Sequence, residues 1–243
     1  MRLTAKLPSR ETAARVGGFA TLLDAALVGL LMFGALDRWA PPQDLFWKPL
    51  SLARPLGSAT PLQLARAASD PQSCRATLAQ AGVAFTEVAF RKEGDCIIAD
   101  AVRLTGGVTP LTPASPVMTC PLALSYALWD RQVVQIEAER MKLDVRAVEH
   151  FGTYACRRVA GSRDSGLSQH ATANALDVAA FRLGGGQRIT VIEDFNSKTG
   201  DGRFLRRVRD GACQVFGATL SPDYNQAHRN HLHLDRNRFR LCS

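Results

Sequence analysis

Histidine and aspartate residues occur at close spacing in two fragments of the chain, LSQHATANALDV and AHRNHLHLD. The first fragment places His170 seven residues before Asp177, and the second holds His231 and His233 two residues apart. Two imidazoles and one carboxylate form a ligand set that suits Zn²⁺ and leaves a fourth coordination position for water. Zinc-bound water is acidic enough to supply hydroxide near neutral pH. The two fragments therefore predict a zinc centre with hydrolytic chemistry.

The alternation of polar and apolar residues predicts how these side chains are positioned. The pattern favours a loop that carries His170 and a strand from about Ala173 to Phe181 that carries Asp177. In HLHLD, histidine alternates with leucine, which indicates a half-buried strand with His231 and His233 on one face, roughly 7 Å apart. One imidazole can then bind the metal while the other lies beside the bound water.

The chain from about residue 74 to residue 242 resembles the extensin-like C-terminal family of bacterial proteins in YACR, LSQHATANALDVAAF, FLRRVRDGACQVFG and PDYNQAHRNHLHLD. That family is similar in turn to the LAS metallopeptidases, which include D-alanyl-D-alanine carboxypeptidases, zinc-dependent murein endopeptidases and the hedgehog signalling domain. Their motif S-x-H-x-x-G-x-A-x-D is followed by a closing histidine within H-x-H or E-x-x-H. The resemblance implies that His170, Asp177 and His233 bind zinc, and that Ser168 orders the loop or hydrogen-bonds to a ligand.

The resemblance also implies roles for neighbouring side chains. His231, the first histidine of H-x-H, would accept the proton of the zinc-bound water, which suits an unperturbed pKa near neutral. Arg157 of YACR would steady the anionic intermediate or grip a substrate carboxylate. Tyr154 and His228 are further candidates for contacting the substrate or supporting the ligands. For Arg157 the alternative is an exposed arginine in a basic protein, and for His228 an ordinary loop histidine.

The chain departs from the LAS motif at two positions. Ala173 replaces the glycine of the motif, which costs about 1 kcal/mol if the position requires a positive φ. Asn230 stands where the E-x-x-H form has its glutamate, and an amide cannot act as a base. Both departures favour an alternative in which the domain is a zinc-containing cell-wall-binding or scaffold module without turnover.

The N-terminal part predicts a membrane anchor. The segment 16–36 is apolar apart from Asp24, and as a helix it would be about 31 Å long, enough to cross a bilayer. Basic residues dominate 1–15, so this end is expected in the cytoplasm and the rest in the periplasm. A cleaved signal peptide and a buried helix are the alternatives. A Pro-rich tether, 37–61, is expected to precede the domain, 62–243.

Cysteine use and net charge agree with an exported domain. All six cysteines follow the predicted anchor, which indicates an oxidising compartment and three disulfides. Six cysteines allow fifteen sets of pairs and the sequence does not choose among them; Cys74–Cys96 is the most local pairing. The net charge of +8 and the pI near 9.6 suit anionic lipid or a wall rich in carboxylates. Nucleic acid is not expected as a partner outside the membrane.

The segment patterns lack a regular alternation of strands and helices and predict an α+β fold, with a small antiparallel sheet flanked by helices. The predicted elements beside those above are a helical piece over Pro61–Gly82, strands over VAFTEVAF and CIIADAVRL, a long helix over Pro121–Met141, strands near Val145–Arg158 and Gln187–Phe195, and a helix near Gly202–Phe216.

Together these observations predict a single-pass protein of the bacterial inner membrane whose periplasmic domain is a zinc metallopeptidase. Its substrates would be peptide bonds in the stem peptides or cross-links of peptidoglycan. Action on a plant-type glycoprotein or another polymer is a third alternative that rests only on the name of the family.

Overall fold

A computed structural model describes residues 10–159, 166–237 and 239–243, with the side chains of 10–21 outside the description. The α-helices are α1 (Arg10–Trp39), α2 (Thr60–Ala67), α3 (Pro71–Gln80), α4 (Cys120–Trp129), α5 (Gln135–Arg140), α6 (Val191–Asp194) and α7 (Gly200–Val215). The strands are β1 (Ala84–Val88), β2 (Arg91–Glu93), β3 (Cys96–Ile98), β4 (Ala101–Gly106), β5 (Leu111–Thr112), β6 (Val117–Thr119), β7 (Val145–His150), β8 (Ala175–Leu183), β9 (Arg188–Thr190), β10 (Ala218–Leu220), β11 (Leu232–Asp235) and β12 (Leu241–Cys242).

The largest sheet among the described residues has the strand order β12-β10-β11-β8-β7-β5, with β9 paired to β8. Its strands are antiparallel except for the pairs β10–β12 and β5–β7. A smaller antiparallel sheet has the order β1-β4-β6, and β2 pairs with β3. The predicted α+β class with small, mainly antiparallel sheets and helices is confirmed.

The core lies between the large sheet and helices α4 and α7. Trp129 of α4 is fully buried, contacts Phe181 of β8, and donates from its indole Nε1 to the carbonyl oxygen of Val208 in α7 at 2.9 Å. Burial of each large apolar side chain contributes about 1.5–3 kcal/mol, so this layer fixes the sheet. Leu176 and Leu234 of the central strands also belong to the core, which leaves their neighbours on the opposite face.

Three predicted segments are divided or shortened in the structure. The run CIIADAVRL forms two strands, β3 and β4, separated at Asp100, whose φ is 51°. The helical piece over Pro61–Gly82 is divided into α2 and α3. The strand predicted from Ala173 begins at Ala175, because Ala173 has a φ of 55°.

Three further predicted elements differ in detail from the observed ones. The predicted helix over Pro121–Met141 consists of α4 and α5 joined by a π turn, Asp130–Val134. The strand predicted to run to Arg158 ends at His150, just before Gly152 with a φ of 141°. The strand predicted over 187–195 stops at Thr190, whose side chain accepts a hydrogen bond from the backbone of Glu193 and thereby starts α6.

The segment predicted as a tether packs against the domain. Leu45 and Leu52 are buried in it. The side-chain amide of Gln63 donates to the carbonyl oxygens of Pro42 and Leu45, both at 2.8 Å. The amide of Gln132 donates to the carbonyl oxygen of Leu52 at 2.6 Å. This segment therefore packs into the domain's core and is hydrogen-bonded to the domain.

The predicted anchor, 16–36, falls within α1. The side chains before residue 22 lie outside the description, as does most of the predicted cytoplasmic stretch, 1–15. Within the part of the chain that the structure describes, none of the helices combines the length and hydropathy that a membrane crossing requires. The anchor and its topology stay predictions.

The prediction of three disulfides is confirmed, and the most local pairing, Cys74–Cys96, does not occur. The bonds are Cys74–Cys120, Cys96–Cys156 and Cys213–Cys242. Cys74 lies on α3, which packs against α4, whereas Cys96 begins β3 in a hairpin that lies against the loop after β7. Proximity in the sequence therefore does not identify the disulfide partner of Cys74 or of Cys96.

We expect non-reducing peptide mapping of the purified protein to find a peptide with Cys96 linked to one with Cys156. The double variant Cys96→Ser, Cys156→Ser should lower the free energy of unfolding by about 2–5 kcal/mol, because this bond closes a loop of 60 residues. Urea unfolding measures the loss, with oxidised wild-type protein as the control. A linked Cys74–Cys96 peptide would contradict the pairing.

Candidate metal centre

The pairing of two strands brings together two of the predicted ligands. Strands β8 and β11 are antiparallel neighbours, and their register sets His233 directly opposite Asp177. Leu176 and Leu234 are likewise paired, and both are fully buried in the core. Because side chains alternate along a strand, His233 and Asp177 share the face that points away from this core.

A short loop delivers the third predicted ligand. Ser168 caps a 3₁₀ turn, Gln169–Thr172, by accepting a hydrogen bond from the backbone nitrogen of His170 at 3.3 Å. The carbonyl oxygen of His170 accepts from the backbone nitrogen of Ala155 at 3.1 Å. His170 is 3 % exposed, so its ring is held by packing as well as by the loop.

Ala173 ends this turn in the left-handed conformation, with a φ of 55° and a ψ of 32°. An alanine in this conformation costs about 1 kcal/mol of backbone strain. The methyl group is fully buried and packs with Ile98 and Ala101. Burial of one methyl group contributes about 0.8 kcal/mol, which offsets most of that strain. Ala173 is therefore compatible with an intact loop around His170.

The three predicted ligand atoms converge. The Oδ1 of Asp177 lies 3.2 Å from the Nε2 of His170 and 2.9 Å from the Nδ1 of His233, and the two nitrogens are 3.3 Å apart. Ligands about 2.0–2.1 Å from a tetrahedral zinc ion are about 3.3 Å from one another. The donor set and its spacing therefore fit a zinc-sized cation.

Asp235, to which the sequence analysis assigned no role, supports His233. Its Oδ2 lies 3.1 Å from the Nε2 of His233, and its Oδ1 accepts from the backbone nitrogens of Ala218 and Asn237. Because a carboxylate can only accept, the Nε2 of His233 carries a hydrogen, and a bound cation would take the place of the second proton, on the Nδ1 that faces Asp177. The sequence HLHLD indicates this contact, because Asp235 follows His233 by two residues and therefore lies on the same face of the strand.

Two further histidines line the same site. The Nε2 of His231 lies 3.5 Å from the Oδ1 of Asp177, and its Nδ1 lies 2.9 Å from the Oδ1 of Asn230. The ring of His228 is 5.2 Å from that of His231 and 5.8 Å from that of His233. His228, His231 and His233 form a second group whose ligand-type atoms could hold a metal. His228 thus belongs to the cluster rather than to a separate loop.

Arg157 and Tyr154, the other two predicted residues, differ in their relation to the histidine cluster. The backbone carbonyl of Arg157 accepts from the nitrogen of Ser168 at 3.0 Å, and its side chain is exposed. Burial is the main cause of the lowered pKa values of His228 and His231, and the charge of Arg157 adds to it. The hydroxyl of Tyr154 donates to Glu93 at 3.0 Å. No hydrogen bond among the described residues joins Tyr154 to the histidines, so it links its loop to β2.

Burial and contacts with carboxylates act in opposite directions and give the histidines different pKa values. Burial alone would raise the pKa of Asp177, but hydrogen bonds from His170 and His233 outweigh it and hold that pKa far below its usual range. Burial would lower the pKa of His233, but hydrogen bonds to Asp177 and Asp235 raise it to about 9. Burial lowers the pKa of His231 and brings that of His228 to about 4. His231 is therefore neutral at pH 7 and able to accept a proton.

We expect NMR titration of the chelator-treated protein to separate these histidines. His233 should lose its proton near pH 9, while His228 should stay neutral until the pH falls to about 4. Asp235→Asn should lower the pKa of His233, because it removes one of the two carboxylates that stabilise the imidazolium; His228 in the same sample is the control. Titration of both rings near pH 6.5 would contradict this arrangement.

Comparison with known proteins adds one match. Residues 72–243 match the family model described as extensin-like protein C-terminus. No curated protein and no solved structure matches the chain. The match covers the disulfides, the large sheet and all five histidines. The chain therefore belongs to the family of extensin-like protein C-termini.

Proposed function

We propose that this protein is a zinc-dependent peptidase that cleaves peptide bonds in peptidoglycan, as a carboxypeptidase or an endopeptidase. One observation carries the proposal: the ligand-type atoms of His170, Asp177 and His233 lie within 3.3 Å of one another, with His231 beside them. The motif similarity to LAS metallopeptidases supports the same function, because these residues fall at the zinc-binding positions of that motif.

Zinc, when bound, would make an attacking water more acidic and polarise the substrate carbonyl. His231 would accept the proton of that water, since its ring is neutral near pH 7 and its Nε2 faces Asp177 at 3.5 Å. The same imidazolium would return the proton to the leaving amine. The exposed guanidinium of Arg157 offers a fork of N–H donors to the developing oxyanion or to a substrate carboxylate.

The proposed location is the periplasmic side of the bacterial inner membrane, with 16–36 as the anchor. Three disulfides support an oxidising compartment, since such bonds rarely persist in a reducing cytosol. Basic residues before the anchor favour a cytoplasmic N-terminus. The net charge of +8 suits a wall that carries carboxylates.

A non-catalytic wall-binding or scaffold module is the second candidate. Asn230 favours it, because the LAS form with E-x-x-H has its glutamate at this position. The Oδ1 of Asn230 lies 2.9 Å from the Nδ1 of His231, so the asparagine orients the histidine instead of acting as a base. The neutral ring of His231 beside Asp177 favours the peptidase.

The test is mass spectrometry of fragments released from purified sacculi by the zinc-loaded full-length protein. We expect new muropeptide ends, and their structure will identify the bond. His231→Ala should lower the rate by about 10²–10⁴-fold while keeping the metal, because it removes only the proton acceptor. No release by a wild-type protein with zinc bound would favour the scaffold module, and equal release by His231→Ala would exclude His231 as the base.

A further inference from the structure

A cavity of about 380 Å³ opens beside the histidine cluster. Ala179 forms part of its lining and follows Asp177 by two residues on β8, so the two residues are roughly 7 Å apart along the strand and the cavity lies on the same face of the sheet as Asp177. Asn230 and Phe151 connect the two sites, because the ring of Phe151 stands 5.9 Å from that of His231 and the amide of Asn230 faces the same imidazole. A peptide bound at the cluster can therefore extend a side chain into this cavity.

The cavity is named here the lateral pocket and is defined by Glu149, Phe151, Arg182, Arg188, Ile192 and Glu193. Arg182 and Arg188 stand directly opposite each other on β8 and β9. Like charges in that position destabilise a sheet unless an anion lies between them. Glu149 supplies the anion: its carboxylate accepts from both guanidinium groups, and the Arg188 hydrogen bond is the chief reason that its pKa is lowered.

The two arginines keep donors for a ligand. Each guanidinium carries five N–H groups in a fixed plane, and Glu149 alone cannot use them all. The side chains of Arg182 and Arg188 are 54 % and 53 % exposed, whereas that of Glu149 is 13 % exposed. A second carboxylate entering the pocket would meet unused donors of the kind that bind carboxylates in pairs of hydrogen bonds.

The remaining wall is acidic at one point and apolar elsewhere. The carboxylate of Glu193 has a long hydrogen bond of 3.4 Å from the hydroxyl of Thr190, and its charge acts on Arg188. The four charged side chains of the pocket therefore sum to zero, so a ligand with one carboxylate and one ammonium matches it better than either charge alone. Phe151 and Ile192 are 61 % and 59 % exposed and offer apolar surface to a methylene stem.

We propose that the lateral pocket is a specificity subsite for a peptide residue whose side chain ends in both an ammonium and a carboxylate, the free end of a diamino dicarboxylic acid. The subsite rests on the proposed function, because it selects the residue that lies next to the cleaved bond. Arg182 and Arg188 bind the carboxylate, Glu193 binds the ammonium, and Phe151 and Ile192 contact the stem.

Three synthetic stem-type peptides that differ at one residue test the proposal. That residue is 2,6-diaminopimelic acid with both groups, lysine with the ammonium only, or 2-aminopimelic acid with the carboxylate only. We expect the full-length protein to favour the first peptide about 10–100-fold in kcat/KM and in calorimetric affinity for uncleavable reduced-amide forms. Arg188→Gln should remove the advantage over the lysine peptide, and Glu193→Gln the advantage over the carboxylate-only peptide. Arg203→Gln on α7, outside the pocket, is the matched control and should change neither ratio.

The binding measurement separates this proposal from the peptidase. Tighter binding of the diaminopimelate peptide, lost in Arg188→Gln, supports the subsite even if nothing is cleaved. Cleavage or binding of all three peptides with equal efficiency overturns it, whether or not the protein is a peptidase. Because Glu193 is exposed, Glu193→Gln is expected to fold, and an unchanged ratio between the diaminopimelate and carboxylate-only peptides in that variant also overturns the proposal.

Discussion

The register between β8 and β11 is the constraint on which the site depends. It sets Asp177 opposite His233 while Leu176 and Leu234 fill the core behind them. A slip of one residue would turn the polar side chains into the core and the leucines to the outside. The free energy that fixes the core therefore also fixes the separation of the ligand atoms.

Asp177 concentrates negative charge at a partly buried point, and the histidines balance it. Three imidazoles lie within 3.5 Å of its Oδ1, and Asp235 accepts a hydrogen bond from the Nε2 of one of them, His233. A buried carboxylate without such partners would take up a proton instead of staying ionised. At His231 burial outweighs the charge of Asp177 and lowers the pKa, whereas at His233 hydrogen bonds to Asp177 and Asp235 outweigh burial and raise it. The balance between burial and carboxylate contacts therefore produces the different protonation states of these two imidazoles.

Much of the fold could be predicted because alternation and helical periodicity are local. Alternation predicted the strand with Asp177 and the strand with His231 and His233, and helical periodicity predicted α7; together they predicted the α+β class. The spacing of polar residues predicted the candidate ligands. The cysteine partners could not be predicted, since Cys74 and Cys96 meet residues 46 and 60 positions away through tertiary packing. The lateral pocket was also missed, because Glu149, Arg182 and Arg188 come together only through the pairing of β7, β8 and β9. Leu45 and Leu52 lie in the segment predicted as a tether, because their burial against the domain results from tertiary packing and leaves no local pattern in the sequence.

The zinc content of the purified full-length protein and its variants tests the central claim most directly. The account predicts about one zinc per chain in the wild type and in His231→Ala, and almost none in His233→Ala or Asp177→Ala, because each of those two removes a ligand. Circular dichroism of each variant shows that the fold is retained. If His233→Ala and Asp177→Ala keep as much zinc as the wild type, these residues are not the ligands and the proposed chemistry fails with them.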